Sequence, residues 1–536
     1  MSNQLTLDAR TYGEAKWNFE IPPEPVDESE VAETRSCEIL VIGAGISGLV
    51  TAARAAELGA DVRLFSASSH PISRGGSNCG WGTKVQKRHG IEFNAESDRQ
   101  RIKQEIASNA GRVDLGKWYR WINNSARTMD WLIDLMEAEG YETTLEAPYI
   151  DIDGVYTQKP MSHNWIGGPV RVGAMGGAAL EAQVLEKNAL AWGAQIDYNA
   201  KALYLEKDEG GRVVGAIARR NDGTVLRYRG SKAVVLATGD FSADKDLMAK
   251  YCPDMAPYYS DATVDYDREV AFFGTMPGDG QKMGLWAGAA WQYTPNAPQA
   301  NLDVMGPAPS HLAMGNHPGI NLNGRGERFM NEDTTLGYAI WQGFHQPGGR
   351  IYYIWDSAFY DRYPEWAPFG TTIEGTGGPK PFGGDRMREI VENSVTAGRV
   401  VKADTAREAL AGLDGIDVDA ALATIGRYNA YCQNGLDEEF HKNAAHLSPI
   451  EEGPFYATCY DMFEDGSWLS VFGGLRTNIH NQVCDENDQP IPGLYNVGIM
   501  TGDTNVGIYN FVLCGMSLGM NCITLPQLMV EEILGE

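Results

Sequence analysis

Between Glu38 and Leu64 the chain reads EILVIGAGISGLVTAARAAELGADVRL, and no other stretch limits the possible folds as much. Ile39 to Val41 is a short apolar run with β-branched residues, which predicts a buried strand. Gly43, Gly45 and Gly48 follow at G-x-G-x-x-G spacing. The first glycine permits a tight turn, the second lets a diphosphate approach the backbone, and the third lets helix pack on strand. An alanine-rich helix is predicted to about Leu58, closed by Gly59, with a second strand from Val62 to Phe65. The N-terminus of that helix offers free N–H groups and a positive dipole end to phosphates. Strand, glycine turn, helix and strand in this order predict an α/β dinucleotide fold.

At 536 residues the chain is long enough for two or more domains. A net charge of −27 argues against nucleic acid or an anionic membrane as partner. No apolar run approaches the ~20 residues of a membrane helix. The first residues, MSNQLTLDARTYGEAKW, lack a basic region followed by an apolar core, so a cytoplasmic location is expected. The eight cysteines are scattered without C-x-x-C, so neither a metal site nor c-type haem is expected.

In chain order, residues 1–35 read as an extended N-terminal arm, with Trp17 and Phe19 placed to pin it. The loop after the second strand, SASSHPISRGGSNCGWGTK, is glycine-rich enough to lie against a cofactor. A helix is predicted over about Ala95 to Ala138, with Trp121, Met129, Trp131, Leu132, Leu135 and Met136 as its apolar stripe. Another helix, about Ala178 to Trp192, leads to a strand, two hairpin turns and the apolar run Ala233 to Leu236. That run ends in Ala237-Thr238-Gly239, and Gly278-Asp279-Gly280 opens a further helix. From about 293 to 465 proline, glycine and aromatics become frequent, which suggests an inserted second domain. The tail returns to α/β character, with a strand at Leu494 to Gly498 and a glycine-rich segment before a final helix.

Taken together, these landmarks resemble the soluble fumarate reductase/succinate dehydrogenase flavoprotein family over about residues 36–530. The matching pieces are the glycine turn, Arg74-Gly75-Gly76-Ser77, Ala237-Thr238-Gly239, Gly278-Asp279-Gly280, INLNGRGERFMNED (Ile320 to Asp333), Phe472-Gly473-Gly474-Leu475, PIPGLYNVG (Pro490 to Gly498) and Cys514-Gly515-Met516-Ser517-Leu518. The resemblance implies a Rossmann-like FAD-binding domain of the glutathione-reductase type in two pieces, 36–292 and 466–536, around an inserted α+β capping domain over 293–465. It implies non-covalent FAD touching Gly43, Gly45, Gly48, Ser66, Arg74, Gly75, Gly76, Ser77, Ala237, Thr238, Gly239, Asp279, Gly498, Asp503, Ser517 and Leu518. Ser66 stands where the family carries an acid for the ribose.

The departures bear on the substrate. Where the family places an arginine after NE-x-TT, a histidine before its Met-Gly-Gly turn and an arginine before its last glycine turn, this chain has Leu336, Leu469 and Val512. A buried dicarboxylate without cationic partners carries a desolvation penalty of roughly several kcal/mol. The expected substrate is therefore small, neutral and largely apolar, in a pocket of Trp81, Leu336, Tyr338, Leu469, Ser470, Phe472 and Val512. Tyr509, in the glycine-rich segment, is expected to donate the proton while flavin N5 transfers hydride, with electrons from an external carrier. That arrangement resembles the 3-ketosteroid dehydrogenase and tetrahydrodaidzein reductase branches, and reduction of a polyphenol or enone is expected. Steroid desaturation and flavin binding without turnover stay open as alternatives. Asp240 replaces a frequent glycine, and the sequence offers no reason for it.

Overall fold

The computed structural model describes residues 17–75, 77–93, 102–103, 106–107, 109–146, 150–152, 156–158, 160–168, 176–258, 264–269, 275–302, 319–332, 341–366, 384–462, 466–509 and 515–535. The strand Val31–Ile42 runs parallel to Val62–Phe65 on one side and to Val225–Leu236 on the other. Val62–Phe65 pairs onward in parallel with Gln195–Asp197, and Val225–Leu236 with Pro490–Asn496, where the antiparallel Gln482–Cys484 closes the edge. Ala200–Lys207, Val213–Arg220 and the first half of Val225–Leu236 form an antiparallel meander that leaves this sheet.

The parallel strands are covered on both faces, which is why they read as unbroken apolar runs. Ile39 and Val41 pack with Leu49, Val50 and Ala53 of the helix Ile46–Glu57 and with Leu180 and Leu185 of the helix Gly176–Ala191. Leu40 and Ile42 point the other way, toward Tyr228, Val234 and Leu236. The Gly43 turn follows Ile42 and Ala237-Thr238-Gly239 follows Leu236, two residues paired in register. Both glycine motifs therefore sit side by side at the carboxyl ends of adjacent parallel strands, where open α/β sheets bind ligands.

The long helix runs over Leu115–Ala138, and the Asp114 carboxylate accepts from the N–H groups of Gly116 and Lys117 at its start. Trp121, Met129, Leu132 and Met136 are buried as expected. Trp131 and Leu135 are only partly buried, and the Trp131 indole donates to Glu57. Phe19 is buried with Phe241, Leu247 and Trp355, stacks on Trp17, and its carbonyl accepts from the Trp286 indole at 2.7 Å. The first described residues of the arm are thus anchored through one aromatic pair.

Within residues 319–462 a four-stranded antiparallel sheet has the order Ile320–Leu322, Arg350–Trp355, Phe455–Asp461, Val401–Ala403. The helices Ala406–Ala411 and Val418–Asn434 cover it through Leu410, Ala421 and Tyr428. A ribbon pairs Ala297–Leu302 with Gly466–Phe472, setting Ala297 opposite Phe472 and Gln299 opposite Ser470.

Beneath the four-stranded sheet lies a fully buried charge network. Arg328 donates to Glu332 at 2.8 Å and bidentately to Asp437 at 3.0 and 3.1 Å, and Lys442 donates to Glu332 at 3.3 Å. The Asn321 N–H donates to Glu332 and the Gly319 carbonyl accepts from Lys442. Rings of Tyr428 and Phe440 lie 5.1 and 4.9 Å from the Arg328 guanidinium. Burial opposes ionisation of Glu332, but Lys442 and Arg328 outweigh it and hold the carboxyl below its usual range. The network fixes Glu332, immediately before the segment that carries Leu336 and Tyr338.

Candidate active site

From the two glycine motifs a long cleft, partly open to solvent, encloses about 1460 Å³ of unfilled space. Gly43 sits at φ +114°, and a Cβ there would lie 2.3 Å from the Ala237 carbonyl oxygen. A Cβ on Gly48 would lie 2.0 Å from the Gly43 oxygen, so the third glycine closes helix onto strand. Gly45 differs, because a Cβ on it would meet nothing within 4 Å. That open ground lies at the N-terminus of the twelve-residue helix Ile46–Glu57 and lines the cleft, so a diphosphate fits there. A Gly45→Ala protein should fold with a stability within about 1 kcal/mol of the original. Its FAD affinity should fall about ten- to hundredfold, because the added methyl occupies ground a phosphate needs. Flavin titration of the apoprotein beside its melting temperature checks both halves.

At one end of the cleft Ser66 is joined to Ser68 by a 2.8 Å hydroxyl contact, and Ala200 and Ala202 line the wall. Asp279, at the start of the helix Asp279–Trp286, accepts from the Tyr266 hydroxyl at 2.6 Å. Gly75 is pressed against Leu518, whose Cδ1 would be 2.3 Å from an added Cβ. Arg74 also lines the cleft. Burial pulls its guanidinium down to about 10, one nitrogen donates to the Asp265 carbonyl at 3.0 Å, and Nε is buried without a partner among the described residues.

Tyr509 and Phe472 stand at the other end. Their rings stack at 4.6 Å with 3° between planes. Tyr509 is only 5% exposed, and the Gly515 N–H donates to its hydroxyl oxygen at 3.0 Å. An oxygen that accepts in this way turns its own proton away from Gly515. Ser470 lies beside them, its hydroxyl donating to Gln299 at 3.2 Å across the ribbon. Asp240 has its account here. Its carboxylate accepts from the Val471 N–H at 2.8 Å and the Ser242 hydroxyl at 3.0 Å, tying the strand end beyond Gly239 to the ribbon beneath Phe472.

A family model described as an FAD binding domain matches residues 38–518. The chain belongs to that family. It is an FAD-dependent oxidoreductase, and bound FAD is its cofactor. Among curated relatives it is 27% identical over 495 residues to the vinyl phenol reductase of Lactiplantibacillus plantarum, covering 88% of this chain and 92% of that protein. It is 27% identical to the urocanate reductase of Eggerthella lenta over 88% of this chain and 70% of the relative. Among solved structures, a 3-ketosteroid-Δ4-(5α)-dehydrogenase from Rhodococcus jostii RHA1 matches with a TM-score of 0.70 at 22% identity, over 95% of this chain and 99% of the other.

Within this FAD-dependent oxidoreductase, Gly43, Gly45, Ser66, Arg74, Gly75, Ser77, Ala237, Thr238, Gly239, Asp279, Ser517 and Leu518 all line the cleft, as do Ser470, Phe472 and Tyr509. Four of the expected residues meet the scaffold in this structure. Gly48 faces Gly43 and Ala237, inside the helix–strand contact and off the cleft. Gly498 packs on the Ser47 hydroxyl, 2.5 Å from where its Cβ would be, so it supports the dinucleotide helix. Asp503 accepts from the N–H groups of Tyr293 and Thr294 and from the Thr294 hydroxyl, so it caps a turn. Trp81 packs in the cluster behind Phe472 and Tyr509 and does not reach the cleft. Gly76, Leu336, Tyr338 and Val512 lie outside the described residues, and of Leu469 only its place on the strand Gly466–Phe472 is described.

Sequence reasoning missed Gln299, Met276, Tyr266 and Cys522, which also line the cleft. Gln299 had a legible signal, its position in a short alternating segment opposite Ser470. Among the described residues no cluster of metal-ligating side chains occurs, and no helix is long and apolar enough to cross a membrane.

Proposed function

We propose that this FAD-dependent oxidoreductase reduces a carbon–carbon double bond in a neutral, ring-bearing, largely apolar substrate of the vinyl-phenol or enone type. The observation that carries the reading is Tyr509, stacked on Phe472 in the cleft with Gly515 N–H on its oxygen. Gly43, Gly45 and the start of the Ile46 helix would hold the diphosphate of non-covalent FAD, and residues 293–465 would act as the cap. The chemistry that FAD would supply there is hydride from N5, after its reduction by an external two-electron carrier. Tyr509 gives the proton to the carbon on the other side of the double bond. As the hydroxyl loses its proton the Gly515 N–H stabilises the oxygen, a preorganised donor aimed at developing charge. Phe472 and Tyr509 exclude water and offer an aromatic wall for a planar substrate.

Charge favours a neutral ligand. Leu336, Leu469 and Val512 supply no cation. Arg74, in the cleft lining, is already engaged by the Asp265 carbonyl and faces the field of Asp240 and Asp265. The names of the two reductase relatives support the direction, since a vinyl phenol is itself a neutral arene bearing a double bond. The test is anaerobic reoxidation of the photoreduced holoenzyme. A vinyl phenol or cyclic enone should restore the oxidised flavin spectrum, and fumarate should not. Reoxidation by fumarate alone rejects the reading, and bleaching of the oxidised flavin by a saturated ketosteroid reverses its direction.

A further inference from the structure

Behind the cleft wall a carboxyl group is buried with no counter-ion beside it among the described residues. Glu181, on the helix Gly176–Ala191, is 0% exposed, and its Oε2 accepts from Asn78 Nδ2 at 2.8 Å. Glu181 Oε1 and Asn78 Oδ1 are both buried without a partner among the described residues. With the carboxyl ionised, both orphans are acceptors and neither can satisfy the other. One proton on Glu181 turns Oε1 into a donor complementary to Asn78 Oδ1, and acid and amide then match on both edges.

The surroundings agree. Burial pushes the Glu181 carboxyl up to about 8, and the Asn78 hydrogen bond offsets this only in part. Cys522, from the C-terminal helical segment, is a thiol that burial and Glu181 itself push up. His163, from the strand Ser162–Ile166, contacts the Asn78 carbonyl at 3.0 Å and Thr83 at 2.8 Å, and burial pulls it down to about 4. On the helix Ile46–Glu57, Arg54 pairs with Glu57 and Glu531. On Leu115–Ala138, Arg127, Asp134 and Glu137 pair with Glu531, Lys84 and Arg88, and Asp130 accepts from the Lys84 N–H. Asp197, on the neighbouring strand, pairs with Arg35 and Arg63. None of these charges acts on Glu181.

Asn78 connects this pair to the catalytic end. Ser77, just before it, lines the cleft. Cys79, just after it, donates its N–H to the Gly515 carbonyl at 3.0 Å. Gly515 in turn donates to Tyr509, and a Cβ on Gly515 would lie 2.2 Å from the Ser77 oxygen. We propose that Glu181 is carried as the neutral acid and, paired edge to edge with Asn78, positions the Ser77–Cys79 segment on which Gly515 and Tyr509 are set. It is a positioning residue for the cofactor cleft, whatever the substrate. Its ionisation breaks the pairing and loosens that segment.

The folded carboxyl binds its proton more tightly than the unfolded one, whose value is 4.5, up to about 8. In that window the folded chain holds a proton that the unfolded chain has lost. The stabilisation is complete at the acid end and is lost as pH rises toward the upper limit. Glu181→Gln keeps donor and acceptor at every pH. Relative to this variant, the unfolding constant of the wild-type holoprotein should rise about tenfold per pH unit across the window and then level off. FAD affinity of the wild type should fall above the window while that of the variant holds. Parallel stability profiles, or FAD affinities that track each other at every pH, overturn the proposal. Infrared spectroscopy of the wild type is decisive even if the variant fails to fold. A protonated-carboxyl C=O stretch persisting at neutral pH supports it, and its absence there overturns it.

Discussion

Tyr509→Phe is expected to lower turnover by about 10²–10⁴-fold, the usual contribution of a positioned general acid. The ring should keep its place, because stacking on Phe472 does not involve the hydroxyl. What disappears is the proton donor, together with the acceptor for the Gly515 N–H. An unsatisfied buried N–H costs about 1–3 kcal/mol, so some loss of stability accompanies the loss of rate. Two measurements separate the effects. Flavin content and the visible spectrum should stay near those of the original protein, while single-turnover reoxidation by an enone or vinyl phenol slows. A variant that turns over at the original rate removes Tyr509 from the chemistry.

The second large effect is on stability. Glu332→Ala should cost about 3–5 kcal/mol, because it takes a carboxylate from both Lys442 and Arg328, whose side chains are fully buried. Asp437 remains for Arg328, while Lys442 keeps the Gly319 carbonyl and the Tyr428 ring, neither of which carries a negative charge. Denaturant unfolding of apoprotein and holoprotein measures the loss. A cost under about 1 kcal/mol would mean that water reaches the network and screens it like a surface pair. The pH dependence has the opposite sign to that of Glu181. The folded Glu332 carboxyl sits below its usual value, so its stabilisation is present above the unfolded value and lost as pH falls through the folded one.

Much of the fold was legible because its signals are local. The strand, turn and helix from Ile39 to Glu57 could be read from glycine spacing and apolar runs, since the three glycines and the runs they punctuate lie within twenty residues of one another. The scaffold contacts of Asp503 and Gly498 were not legible, because both sit in motifs that the family resemblance places near the cofactor. Whether such a residue faces the ligand or the scaffold depends on a long-range neighbour, here Thr294 for one and Ser47 for the other. Asp240 was opaque for the same reason, since the N–H it serves lies 231 residues away. Trp81 reads identically as pocket wall or core, because an aromatic ring buries its area in either place. Gln299 escaped notice because a neutral amide carries no charge signature, although it is cross-strand from Ser470.

The strand Pro490–Asn496 completes the sheet next to Val225–Leu236, and Gly515, Ser517 and Leu518 complete the cleft wall opposite the Gly43 turn. Residues 490–518 must therefore have emerged before the cleft is complete. Until then the Val234–Leu236 edge stands unpaired on the side that Leu494–Asn496 will cover. Flavin loading is therefore expected to follow synthesis of residues 490–518, and until then that edge is open to pairing elsewhere. Expression with scarce flavin should accordingly raise the aggregated fraction.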